Sequence, residues 1–175
     1  MATTPSRPSY LGAFHMSNAS FSNYEPQRLN NFELNIDGIA DYEAFKLSVH
    51  SAAIPEISVD PIEIPYGNTR VKVAGAVTYN DVSVVVNDWI GKDIEKVITM
   101  WMNQVFNPDT QAVGQAATYK KSGTLSQFSA DGTRVRHWRL IGLWPTSVSY
   151  GDYAQDSSDR RQISMTLSCD YAIRE

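Results

Sequence analysis

One stretch of this chain repeats its apolar residues at helical spacing, and nearly all the rest alternates. In NDWIGKDIEKVITMWMNQVFNP, Ile90, Ile94, Val97, Ile98, Trp101, Met102, Val105 and Phe106 recur at intervals of four, three, one, three, one, three and one. That is the 3.6-residue period of an amphipathic helix. Asn87 or Asp88 can cap its start, and Pro108 stands just beyond its end. Such a helix of about eighteen residues would be roughly 27 Å long. With one helix of useful length there is no material for repeated strand–helix–strand units, so the sheets should be antiparallel.

The alternating segments follow in order. NNFELNIDG places Phe32, Leu34 and Ile36 opposite Glu33, Asn35 and Asp37, a strand ended by the Asp37-Gly38 turn signal. EAFKLSVH alternates as well, with Phe45, Leu47 and Val49 on one side, and is expected to be a second strand paired with the first. EISVDPIEIPYG shifts phase across Asp60-Pro61, which calls for an edge strand or a bulge there. NTRVKVAGAVTYND then describes an extended hairpin arm leading into the strand DVSVVVND. Residues 107–117 read as a loop. KKSGTLSQFSADGTRVRHWRLIGLWPTSVSYG reads as strand, turn at Asp131-Gly132, strand, break at Trp144-Pro145 and a further short strand. In the terminal RQISMTLSCDYAIR, Ile163, Met165, Leu167, Cys169 and Tyr171 alternate with Gln162, Ser164, Thr166, Ser168 and Asp170. The expected fold is mainly β: an antiparallel sandwich or partly rolled barrel with one packed helix, over residues 30–175, preceded by an arm at 1–29. At 175 residues the chain is long enough for one domain with a core of its own. The arm is either a disordered tail or a segment that docks Tyr10, Phe14, Phe21 and Tyr24 on its own domain or a neighbour.

The chemistry-bearing residues are sparse. A single cysteine, Cys169, forms no internal disulfide and shares the parity of core residues, so it reads as a small hydrophobe. His15, His50 and His137 have no metal-ligand spacing, and Gly67, Gly75 and Gly114 lack the spacing and lysine of a phosphate loop. No catalytic, metal or cofactor site emerges. Lys plus Arg number 15 against 19 for Asp plus Glu, a formal charge of −4 that opposes a surface built to hold nucleic acid. There is no secretory or transmembrane pattern, so the protein is expected to be soluble and made in the cytoplasm.

Material for self-assembly is more plentiful. The hydroxyl-rich side of the last strand, Gln162, Ser164, Thr166 and Ser168, lacks the Lys and Glu of an ordinary solvated face. It is expected to be covered by sister chains or to face a channel. Arg134, Arg136, Arg160 and Arg161 are candidates for salt bridges between subunits.

Together NNFELNID, IPEISVDPIEIPYGNTRVKVAG, VNDWIGKDIEKVITMWMNQVF, WRLIGLWPTSVSYGDYA and ISMTLSCDY resemble the tail tube proteins of contractile-tailed bacteriophages, whose relatives include bacteriocin and type VI secretion tubes. The likeness spans about residues 30–172, and its most specific piece is Gly142-Leu143-Trp144-Pro145. It implies a structural, non-enzymatic subunit of a virion tail, with six copies forming a ring and each giving four strands to an inner barrel. Stacked rings would make a hollow tube for transient, non-specific passage of double-stranded DNA, without membrane insertion. The implied partners are the tail sheath, tape-measure, baseplate and tail terminator proteins. The hairpin about Pro65–Asp81, with Tyr66, Asn68, Arg70, Lys72 and Tyr79, looks like the arm that reaches the next ring. Gln162, Ser164, Thr166 and Ser168 would then line the lumen. A tube-completion or baseplate component of the same tail, or a small β-fold enzyme, are the competing readings.

Overall fold

The computed structural model describes residues 27–156 and 158–175, so the expected arm lies outside the described residues except for its last three. Strand β1 (Phe32–Ile36) buries Leu34 and Ile36 and ends at Gly38, whose φ of 73° is the left-handed turn conformation that Asp37-Gly38 signals. The next segment corrects the sequence reading. Tyr42–Ser48 is a helix, α1, and only Val49–Ala52 is a strand, β2. Ala44, Phe45 and Ser48 are buried at helical spacing while Leu47 stands 78% exposed. The same residues fit both periods, and Glu, Ala, Lys and Leu favour the helix. The buried Ser48 hydroxyl donates to the Ala44 carbonyl at 2.5 Å and accepts from Trp89 Nε1 at 2.9 Å, so burial leaves it satisfied.

Strands β3 (Ile57–Tyr66) and β4 (Thr69–Tyr79) form the expected hairpin, a sheet of its own. Their register slips between Val59 and Pro61, at the phase shift seen in the sequence. There Gly75 faces the Asp60 carbonyl, with no space for a side chain. β5 (Val82–Asn87) leads to helix α2, which is shorter than its apolar pattern. It spans Ile94–Val105, 12 residues and about 18 Å. The cap is Asp93, accepting from the Lys96 amide at 2.8 Å, so neither Asn87 nor Asp88 serves. Ile90 lies outside the helix and fully exposed. Asn87 belongs to β5, and Asp88 accepts from Arg161. The loop at 107–117 contains a small hairpin, β6 (Phe106–Asn107) with β7 (Ala112–Val113), and the start of a short helix α3 (Ala116–Tyr119).

Strand β8 (Lys121–Phe128) turns into β9 (Arg134–Ser149), 16 residues that run through Trp144-Pro145 without the expected break. What changes there is the partner. The first half of β9 pairs with β8 and with β11 (Tyr171–Arg174), the second with β10 (Gln162–Ser168). Two four-stranded antiparallel sheets result, β1-β8-β9-β11 and β9-β10-β5-β2, sharing β9. The terminal segment likewise divides at Cys169-Asp170. Its phase flips, so Ala172 is buried and Tyr171, expected in the core, is 43% exposed.

One core joins both sheets and both longer helices. Leu34 and Ile36 meet Leu125, Leu140 and Leu143, then Val84, Val86, Ile163 and Met165, with Phe45 from α1 and Ile94, Ile98 and Trp101 from α2. The two assignments of Tyr42–Ser48 differ in a measurable way. Phe45→Ala should cost about 3–5 kcal/mol of unfolding free energy by urea denaturation, and Leu47→Ser under about 1 kcal/mol. Equal costs would restore the strand.

Candidate assembly surfaces

The outer side of β9-β10-β5-β2 is the first surface. Residues directly opposite in an antiparallel pair share a face. Ser164 lies between Val85 and Ser149, Thr166 between Ser83 and Ser147, and Gln162 beside Asn87. Ser168 faces Trp144, and Ser51 of β2 continues the Val85 row. The Gln162 amide donates to Asn87 Oδ1 at 3.2 Å, and Thr146 Oγ1 donates to the Thr166 carbonyl at 3.1 Å. The four expected residues thus lie on one face made mainly of hydroxyls and amides, with Val85 and Trp144 also in its rows and no charged side chain among them. Ser83, Ser147 and Ser149 belong to it too. Their alternation was visible in DVSVVVND and PTSVSYG, but pairing them with Ser164 and Thr166 needed the register.

Two turns of the backbone produce this face. At Gly142, φ is 73° and β9 carries one residue more than β8, so Leu140 and Leu143 both enter the core. A Cβ on Gly142 would strike the Asp170 carboxylate, which Lys120 holds at 2.7 Å. A second slip, opposite Thr166 and Leu167, sets Pro145 inward and Ser147 outward.

The hairpin is the second surface. Beyond its bulge Ile62 faces Val73 and Ile64 faces Val71, with Tyr66 opposite Thr69 at the Gly67-Asn68 tip. All four aliphatics are at least 41% exposed, and Tyr66 is 75% exposed. On the other side Glu63 pairs with Arg70 at 2.7 Å and Lys72 at 3.5 Å. The arm is therefore a ribbon with one greasy and one charged side. Of the residues expected on it, Tyr66 and Asn68 sit at the tip and Arg70 and Lys72 on the charged side. Tyr79 packs at the base against the core. The exposed apolar Ile62, Ile64, Val71 and Val73 were not among the residues expected on the arm's surface; their signal was the mirrored alternation on either side of Gly67-Asn68.

The arginines do not form one cluster. Arg134 and Arg136 are exposed at the start of β9, opposite Phe128 and Gln127. Nearby, Glu175 takes His137 at 2.8 Å and Arg139 at 3.4 Å. Arg160 is exposed, whereas Arg161, its side chain 20% exposed, is held inside its own chain. Its Nη1 donates to Glu95 Oε2 at 2.7 Å and Asp88 Oδ2 at 2.9 Å, and its guanidinium lies 4.8 Å from the Tyr153 ring. The Glu95 hydrogen bond, with the surrounding negative charge, raises its pKa further above the ordinary arginine value. Arg161 thereby ties the end of β5 to the first turn of α2 at the margin of the hydroxyl face.

Burial pushes the Cys169 thiol up, against thiolate formation. Among the described residues no group of three or more His, Cys, Asp and Glu is placed to hold a metal ion, and no helix is long and apolar enough to cross a membrane.

Comparison with known proteins gives the family and the fold. The family model described as T4-like virus tail tube protein gp19 matches residues 28–172. The tail tube protein gp19 of Enterobacteria phage T4 is 27% identical over 155 residues, which are 87% of this chain and 94% of that one. A chain of the cryo-EM sheath-tube complex of the extracellular contractile injection system PVC, in its extended state, superposes with a TM-score of 0.71 at 21% identity, covering 92% of this chain and 99% of that one. The tube-terminating cap of the anti-feeding prophage gives 0.69 at 20% identity, covering 86% and 91%.

Arg161→Gln should lower unfolding free energy by about 1–3 kcal/mol, because two carboxylates lose their charged donor. A chemical denaturation curve coincident with the parent's would show that the pairing stabilises nothing. Ile64→Asp should leave subunit stability within about 0.5 kcal/mol while removing species larger than a single ring from sedimentation velocity. A large fall in stability would place the ribbon in the subunit's own core instead.

Proposed function

The chain belongs to the T4-like virus tail tube protein family and is a structural tail tube subunit, and from that premise we propose how it builds a conduit. Six copies form a ring, with β9-β10-β5-β2 of each facing the axis. Among the described residues β2 pairs only with β5, and the second half of β9 only with β10, so within them this sheet has two open edges. Joining the β2 edge of one copy to the β9 edge of the next satisfies both and closes a barrel. Twenty-four strands at about 4.8 Å spacing and a tilt near 40° give a backbone diameter of about 50 Å, wider than a nucleic-acid duplex. Hairpins β3–β4 reach the neighbouring ring and bury their apolar side there. The tail sheath surrounds the stacked rings, the tape-measure protein occupies the bore before the genome, and baseplate and tail terminator proteins close the ends. The subunit's place is the tail of a virion or phage-like particle.

The observation that carries this reading is the uncharged hydroxyl face. Every Lys or Arg presented to a passing duplex would add a phosphate contact and its counterion release, steepening the salt dependence and holding the DNA back. Ser83, Ser147, Ser149, Ser164 and Thr166 wet the wall without binding the cargo. Arg161, at the margin of that face, has its charge taken up by Asp88 and Glu95. Arg134, Arg136 and Arg160 are left to bridge adjacent subunits.

Negative-stain microscopy of the purified chain tests the assembly: open-ended tubes of constant bore are expected, and isolated rings would mark a tube-completion component instead. The conduit is tested by Thr166→Lys, which adds six positive charges per ring. Tubes should still form, and DNA ejection from reconstituted particles should slow at least tenfold at low salt and recover as salt is raised. Ejection unchanged at every salt concentration would remove the lumen assignment.

A further inference from the structure

The edge pairing that closes the proposed ring is short, because β2 is only the four residues Val49–Ala52. So short an edge buries far less than the roughly 800 Å² per partner of a stable interface. Further contact area is needed, and each of the two edges has an exposed apolar feature beside it. Next to β2 is a groove of about 770 Å³. All of β2 lines it, together with Phe32 and Leu34 of β1, and Leu29 and Leu47 stand on it 97% and 78% exposed. Leu34 belongs to the core, so the groove opens on the core side of β9-β10-β5-β2, behind the hydroxyl face. Arg28 on its wall has no ion-pair partner among the described residues.

Next to the open edge of β9 is the small hairpin β6–β7. Lys121, the first residue of β8, lies opposite Leu143, and past that point β9 has no partner on that side among the described residues. Just before Lys121, the Tyr119 ring meets Trp144 of β9 edge-on at 5.6 Å, and the Tyr119 carbonyl accepts from Trp101 Nε1 of α2 at 2.8 Å. The chain before α3 thus borders the open edge. It also lies behind the hydroxyl face, since α2 packs Ile98 and Trp101 into the core shared with Val84 and Met165. The hairpin presents Phe106 directly opposite Val113, 43% and 75% exposed. Its shape is fixed in the subunit: the Gly114 amide donates to the Val105 carbonyl at 2.9 Å, and Asn107 Oδ1 accepts from the Asp109 amide at 2.9 Å. Asp109 is its one charged residue.

We infer that the small hairpin of each copy seats Phe106 and Val113 in the groove of the next copy, on Leu29 and Leu47, with Asp109 turned to Arg28. The inference rests on the proposed pairing of the β9 edge with the β2 edge, which brings this hairpin and this groove to the same side of the joined sheet. An aromatic ring and a valine fill an apolar groove, and opposite charges meet at its rim. Because both surfaces are already shaped in the subunit, docking orders little that was free. The contact is heterologous, one surface giving and a different one receiving, as a closing ring requires. It supplies the outer half of the joint between neighbours, while the edge strands supply the inner half.

The full chain carrying Phe106→p-benzoylphenylalanine, heavy-isotope and light subunits mixed before assembly, is illuminated and its cross-links are mapped by mass spectrometry. Cross-links joining heavy to light chains at Leu29 or Leu47 are expected. Cross-links confined to one isotope, or falling elsewhere on the neighbour, would overturn the assignment. A second measurement needs no cross-linker. Val113→Asp and Leu47→Asp, on the two sides of the contact, should each raise the subunit concentration at which rings form by about tenfold or more in sedimentation velocity, with the subunit's thermal midpoint unchanged. Ile64→Asp, on the other hairpin, should leave that concentration where it is. Rings at the parent concentration in both groove-contact variants overturn the assignment. The parent chain separates the two hypotheses: no ring at any concentration removes the ring and this contact with it, whereas rings whose cross-links miss the groove remove the docking alone.

Discussion

Strand β9 has to serve two sheets, and the left-handed backbone at Gly142 is what lets it do so. A strand of 16 residues with strict alternation would carry Leu140 inward and Leu143 outward. One extra residue at a positive φ restores Leu143 to the core and turns the second half of the strand towards β10. The space beside Gly142 is then taken by Asp170, whose amide donates to the Ile141 carbonyl at 2.9 Å and whose carboxylate holds Lys120. That contact fixes the point at which β10 ends and β11 begins. The joint of the sandwich, the sidedness of the hydroxyl face and the break in the terminal segment therefore depend on one residue without a side chain.

Much of this was legible because a half-buried strand writes its burial directly into the sequence. FELNI, VSVVVN and QISMTLS each place the observed core residues on one parity, and the Asp60-Pro61 phase shift marked a real bulge. The failures have a common cause: a local pattern that satisfies two periods is decided by tertiary contacts. Phe45, Leu47 and Val49 alternate, yet Ala44, Phe45 and Ser48 also fall on one face of a helix, and it is that face the core takes while Leu47 stays exposed. Ile90 extends the helical period backwards, but Trp89 bonds to Ser48 and bridges to Lys92, so the helix begins only at the Asp93 cap. For the surfaces, sequence showed which residues shared a strand face and could not show which strands lay side by side. Gln162, Ser164, Thr166 and Ser168 could be grouped on one strand face for that reason, and Ser83, Ser147 and Ser149 could not be joined to them.

The energetics of the hairpin separate what the subunit makes alone from what it needs a partner to complete. Two strands are marginal in water, and exposed pairs such as Glu63–Arg70 contribute at most about 1 kcal/mol. The Gly67 turn, with φ of 61°, and the tight approach at Gly75 set its register without contributing a core. Among the described residues Ile62, Ile64, Val71 and Val73 stand at least 41% exposed, so a molecule that covered them would gain the association energy of that apolar side.

The kind of assembly follows from the asymmetry of these surfaces. The open edges β2 and β9 are different strands, and the ribbon is not its own complement, so contacts between copies are heterologous. A heterologous contact whose rotation closes makes a ring, and one that advances along an axis makes a filament. In the proposed ring, edge pairing between β2 and β9 repeats one rotation until it closes. The hairpin is a sheet of its own, outside that pairing, and the same proposal gives it the contact that advances along the axis. On that reading a self-limiting contact and an unlimited one fall to separate elements, the division of labour a tube of fixed bore and variable length requires.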